Sequence, residues 1–97
     1  MNSLLCKAIK EKKVIHFYYD GGYRSVEPHC YGVSKDGNEL LRAYQTGGHS
    51  ESSKPVGWKL FRLDELSELS TTEDSFTSPR AQYNPNDKAM SSIYSRL

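Results

Sequence analysis

The stretch VIHFYYDGGYRSVEPHC at 14–30 decides the fold. Ile15, Phe17 and Tyr19 alternate with Val14, His16, Tyr18 and Asp20, and a period of two marks a strand. Asp20, Gly21 and Gly22 tolerate positive φ, so the chain turns tightly there into a second strand from Tyr23. Pro28, which has no amide hydrogen to donate, sets a bend or an edge position partway along it. The result is a β-hairpin.

Working outward, Lys35, Asp36, Gly37 and Asn38 make a second turn before a third strand, ELLRAYQ at 39–45. TGGHSESSKPVG at 46–57 is small, polar and broken by Gly and Pro, which predicts a mobile loop. A fourth strand, WKLFRL at 58–63, follows, and Leu66 and Leu69 suggest a brief last strand ending near Thr72. Upstream, Leu4, Leu5, Ala8 and Ile9 share one helical face with Ser3 as cap, predicting a helix over 3–12. Downstream, Asn84 is placed to cap and Pro85 to start a terminal helix over 85–97, with Met90, Ile93, Tyr94 and Leu97 as its apolar stripe.

These elements predict a mainly β (α+β) fold. About five bent antiparallel strands close into a small barrel, because a flat sheet leaves two bare edges and an uncovered face. Residues 1–76 form that domain with its helix, and 77–97 an extension that packs on the barrel or on a partner.

A 97-residue chain with 36% hydrophobic residues has a thin core, to which seven tyrosines and three phenylalanines must contribute. The net charge of +1 creates no global field that would hold nucleic acid, so any such binding needs a local patch. Lys7, Lys10, Lys12 and Lys13 crowd one end, and Asp64, Glu65, Glu68, Glu73 and Asp74 the other. Cys6 and Cys30 form no C-x-x-C pair, and the sequence holds no bilayer-spanning apolar run and no leader pattern. The expectation is a reduced, cytoplasmic protein.

The order of these motifs resembles the WYL family, a bacterial and phage group with an Sm-like small barrel. Leu4, Leu5, Ala8 and Ile9 followed by Ile15, Phe17 and Tyr19 look like its opening helix and first strand. Arg24, Val26 and Pro28 match its arginine-x-valine-x-proline stretch, and Leu41, Ala43 and Tyr44 the end of its signature strand. Phe61, Leu63, Asp64 and Leu66 match a later pattern, with Lys59 where an arginine is usual and Phe76 as the closing aromatic. Glu39 and Leu40 stand where the naming tryptophan and tyrosine would be. The resemblance implies a stand-alone regulatory domain, without the usual helix-turn-helix, that binds nucleic acid or a nucleotide-like ligand and acts on transcription or a defence-related partner.

Arg24 is the foremost candidate contact, since a guanidinium offers a planar fork of donors to a phosphate or carboxylate. A salt bridge to Glu27 or Asp20 is its structural alternative. The resemblance pairs Arg24 with Lys59; the residues themselves add Arg42 and Arg62, although Lys59 and Arg62 alternate to opposite faces of their strand. Tyr18, Tyr44 and Trp58 can stack on bases, whereas Phe17 and Tyr19 belong to the core. His29 can donate to an anion more strongly below about pH 6.5.

His16, His29 and His49 lack zinc-site spacing with either cysteine, so neither metal nor cofactor is expected. Nucleophile elbows and phosphate loops are missing too, which argues against an enzyme. The expected partner is a single strand or a nucleotide-like ligand. The alternative is a protein-interaction module, with the acidic stretch and the terminal stripe meeting a partner protein or a second copy.

Overall fold

The computed structural model describes residues 1–50 and 53–97. Helix α1 (Ser3–Glu11) leads into six strands: β1 (Lys13–Tyr19), β2 (Gly22–Val33), β3 (Glu39–Gly48), β4 (Gly57–Arg62), β5 (Ser67–Ser75) and β6 (Ser92–Arg96). Neighbouring strands are antiparallel in the order β4-β3-β2-β1-β5, with β6 added against β2. Asn2, not Ser3, caps α1: its side-chain oxygen accepts from the Leu5 amide at 3.1 Å. Leu5, Ala8 and Ile9 are the face that α1 buries.

The hairpin forms as its sequence requires. Tyr19 pairs with Gly22, and the intervening Asp20 and Gly21 take φ of 46° and 94°, the positive values of a tight two-residue turn. Strand β2 then changes partner along one edge. Gly22 to Val26 pair with β1, Cys30 to Val33 pair with β6, and Pro28 sits in the gap between them. A residue without an amide hydrogen is tolerated where that edge has no ladder to feed.

The principal core gathers α1 with inward residues of four strands: Leu5, Ala8 and Ile9 meet Ile15, Phe17, Val26, Tyr31, Leu41, Ala43 and Phe61. Phe17 and Phe61 meet edge to face at 4.9 Å. Leu63, Leu66 and Leu69 pack against this cluster around a 3-10 turn, Leu63–Glu65, between β4 and β5. A smaller cluster of Cys30, Leu40 and Met90 lies apart from it, joined by Tyr83, Ala89 and Ile93 of the tail.

Two expectations need correction. Among the described residues β4 and β5 do not pair, so the sheet is open and a closed barrel is not formed. Strand β5 (SELSTTEDS) is mostly exposed and offers no apolar row to draw it onto β4. The Arg62 amide, at the end of β4, donates to the Tyr19 hydroxyl at 3.2 Å rather than to a strand.

The terminal helix over 85–97 is likewise absent. Its apolar residues enter a turn region and then β6, in which Ile93 and Ser95 turn inward, as Leu97 does just beyond it, while Tyr94 and Arg96 stay exposed. Asn84 accepts from the Asn86 amide at 3.0 Å and Asp87 from that of Ala89 at 3.0 Å, local turns rather than helix caps. An isolated helix of that length is marginal in water, whereas the free edge of β2 beyond Pro28 offers a ready-made ladder. Gly32 permits the close approach: a Cβ there would lie 2.3 Å from the Ser92 carbonyl oxygen.

Strand β3 also outruns its predicted end, taking in Thr46, Gly47 and Gly48 from the expected loop. Residues 51–52 of that loop lie outside the described residues. Among the described residues, no helix is long and apolar enough to cross a membrane.

Candidate functional site

At one end of the sheet's inner face the apolar rows give way to polar side chains. Strand β1 ends its row Ile15-Phe17 with Tyr19, β2 begins its row with Arg24 before Val26, and β3 follows Leu41 and Ala43 with Gln45. On β4, Lys59 precedes Phe61 on the same face. These ends border a shallow hollow of about 180 Å³ lined by Tyr19, Asp20, Arg24, Ser50, Lys59 and Phe61.

Arg24 is the centre of the hollow. It is only 5% exposed, with its guanidinium carbon 5.4 Å from the Tyr19 ring centre and 5.8 Å from that of Phe61. Nη2 donates to the Tyr19 carbonyl at 3.0 Å and Nη1 to Gln45 Oε1 at a long 3.4 Å. The buried Nε has no acceptor among the described residues. Among the described residues no carboxylate forms an ion pair with Arg24, so neither Glu27 nor Asp20 takes the salt-bridge role open to it. Glu27 is held instead by Arg80, at 2.7 and 3.0 Å. Lys59 reaches the same hollow with its ammonium donating to the Lys54 carbonyl at 2.8 Å and to Ser50 Oγ at 3.3 Å.

The other sequence candidates do not join them. Arg42 alternates to the outer face of β3 and forms a two-pronged pair with Asp87 at 2.7 and 3.3 Å. Burial alone pushes the Asp87 carboxyl upward; the Arg42 hydrogen bond, the Ala89 amide and the guanidinium charge outweigh it and hold the group below its usual value. Arg62 is engaged by Asp64 at 2.7 Å and Glu65 at 3.6 Å. Tyr18 lies on the outer face of the hairpin, edge-on to Tyr23 at 5.2 Å. Tyr44, also outward, lies beneath the Arg80 guanidinium at 4.5 Å and beside Trp58 at 5.6 Å. Strand parity explains the separation: Arg42 and Tyr44 share one side of β3, and Gln45 the other.

His29 lies away from the hollow and anchors the tail. It is fully buried, stacks on Phe76 at 5.5 Å and meets Trp58 and Tyr83 edge-on. Nδ1 donates to the Glu27 carbonyl at 2.8 Å while Nε2 accepts the Arg80 amide at 3.1 Å, an arrangement that requires the neutral ring. Burial, aided by the Arg80 charge and opposed by Glu27, lowers its pKa. Because the folded value lies below the unfolded one, this stability is present above about pH 6.5 and is lost as pH falls through the folded value. We therefore expect the urea midpoint to decline in that acid range, and the decline to flatten in His29→Gln.

Gln45, Asp20 and Ser50 were missed as site residues. Gln45 was legible in principle, since a polar residue continuing the buried row Leu41-Ala43 has to be there for a partner; its Nε2 donates to the His49 carbonyl at 2.8 Å. Asp20 and Ser50 are brought in only by the fold. Cys6 and Cys30 carry free thiols, and burial pushes that of Cys30 up to about 11. Among the described residues no three His, Cys, Asp or Glu side chains are grouped to hold a metal. No family model matches this chain, and neither a curated protein nor a solved structure matches it significantly.

Proposed function

We propose that this chain is a cytoplasmic regulatory module that receives the phosphate of a nucleotide-like ligand, or of a single-stranded nucleic acid, between Arg24 and Lys59. One observation carries the reading: a guanidinium is buried without a carboxylate partner among the described residues, and its Nε lacks an acceptor. An uncompensated buried charge costs several kcal/mol. An anion in the hollow supplies the missing counter-charge, and phosphate oxygens match the donor fork. At about 180 Å³ the hollow takes a phosphoryl group and leaves the rest of the ligand outside.

The strand order β4-β3-β2-β1-β5, with a 3-10 turn joining β4 to β5, suits a small Sm-like barrel with one open seam. That is the architecture implied by the WYL-like order of motifs. We read the hollow as capturing its ligand rather than turning it over, with the bound state altering a transcriptional or defence-related partner. The rival protein-interaction reading has less to rest on, since Met90 is buried and Leu97 packs against the core.

The test is fluorescence anisotropy of short labelled DNA and RNA oligomers across a salt series, with a nucleoside monophosphate as competitor. Log affinity should fall linearly with log salt, and Arg24→Ala should reduce the slope by about 0.7, one phosphate contact on a single strand. Absence of binding by oligomer and monophosphate alike at low salt removes the reading.

A further inference from the structure

On the far side of β4 from Lys59, a cleft of about 310 Å³ opens between Trp58 and the turns of the tail, bordered by Arg42, Gln82, Tyr83, Asn84 and Asp87. That volume falls at the lower end of small-molecule sites, roughly 300–1,000 Å³. The Trp58 indole stacks with Tyr83 at 6.2 Å and 20°, and its N–H donates to the Ala81 carbonyl at 3.0 Å. The polar edge of the indole is therefore satisfied, and the cleft meets a fixed aromatic wall. Arg42 and Asp87 form its charged side through their ion pair.

Gln82 borders the cleft with an exposed side chain and, among the described residues, no hydrogen-bond partner for its amide. Its φ of 71° is uncommon outside glycine, and strained positions of this kind gather at binding sites. Asn84 spends its side-chain oxygen on the Asn86 amide and keeps its NH2. An aromatic wall flanked by carboxamides is the chemistry that recognises a nucleobase: the ring stacks, and amide donors and acceptors read its edge. The geometry points to this cleft as a second ligand site, which takes a nucleobase by stacking on Trp58 and hydrogen bonding to Gln82 and Asn84. It does not rest on the phosphate reading of the Arg24 hollow.

The chain has one tryptophan, and it is the wall of the cleft, so indole emission reports this site alone. Adenosine and uridine, which carry no phosphate, are titrated against the whole chain. The expected result is saturable quenching, weakened about fivefold by Gln82→Gly, which removes one hydrogen-bonding amide. Glycine accepts the positive φ, so that variant keeps its fold. Lys10→Ala, on the exposed side of α1, should leave the titration unchanged. Quenching that stays linear in nucleoside, or that survives Gln82→Gly at full affinity, overturns the assignment.

Discussion

Arg24→Met is expected to make the chain more stable by about 1–3 kcal/mol while abolishing anion binding, because replacing a buried charge by an apolar side chain of similar length removes a desolvation penalty. The wild-type side chain has two neutral acceptors, one of them at 3.4 Å, and a buried Nε with none. Methionine would fill the same path across Tyr19 and Phe61 and add thioether contacts to those rings. The cost is two acceptors that lose a donor, the Tyr19 carbonyl and the buried Gln45 Oε1; at about 1 kcal/mol for the first and less for the long 3.4 Å contact, they offset only part of the charge penalty removed.

Two measurements check this. Urea unfolding should show a higher midpoint for the variant at unchanged slope. Inorganic phosphate should raise the wild-type melting temperature and leave the variant's where it was, since a ligand stabilises only the form that binds it. A residue kept at the expense of stability is the signature of a site selected for binding. If Arg24→Met instead destabilises the chain and phosphate shifts neither protein, Arg24 is a strut between β1 and β3, and the ligand reading goes.

Removing residues 77–97 should unfold the rest. The tail contributes β6, the buried Met90, and Tyr83 and Leu97 packed onto the sheet. It also supplies the Arg80 amide to His29 Nε2 and the Arg80 guanidinium to the buried Glu27. At about 1.5–3 kcal/mol for the well-buried Met90 and about half as much each for the partly buried Tyr83 and Leu97, the three together reach roughly 3–6 kcal/mol. A domain of this size has a total of about 5–15 kcal/mol. The truncated chain should therefore lose its cooperative thermal transition in circular dichroism. A truncated chain that still melts cooperatively near the wild-type temperature would make the tail an appendage instead of part of the fold.

The hairpin, the leading helix and the core residue Phe17 of β1 were all legible because each rests on local periodicity. The tail was not. Met90, Ile93, Tyr94 and Leu97 satisfy a helical spacing, yet Ile93 and Leu97 also satisfy a strand's alternation, and the sequence cannot weigh a helix in water against an edge of β2 left open past Pro28. For the candidate site, the structure brings Arg24 and Lys59 to one hollow. It places Arg42 and Arg62 elsewhere, each in an ion pair whose partner comes from the tail, as Asp87, or from the 3-10 turn, as Asp64 and Glu65.

Taken alone, the amino-acid order determined where the first hairpin turns and which residues of β1 alternate toward the core; these follow from backbone sterics and from side-chain alternation over a few residues. The tertiary structure decided which carboxylate meets which cation. Glu27, three residues from Arg24, alternates to the other face of β2 and meets Arg80 from far along the chain, while the buried Arg24 guanidinium has no counter-ion among the described residues. Charge pairing depends on which surfaces the folded chain brings within a few ångströms, and this is information that no local pattern carries.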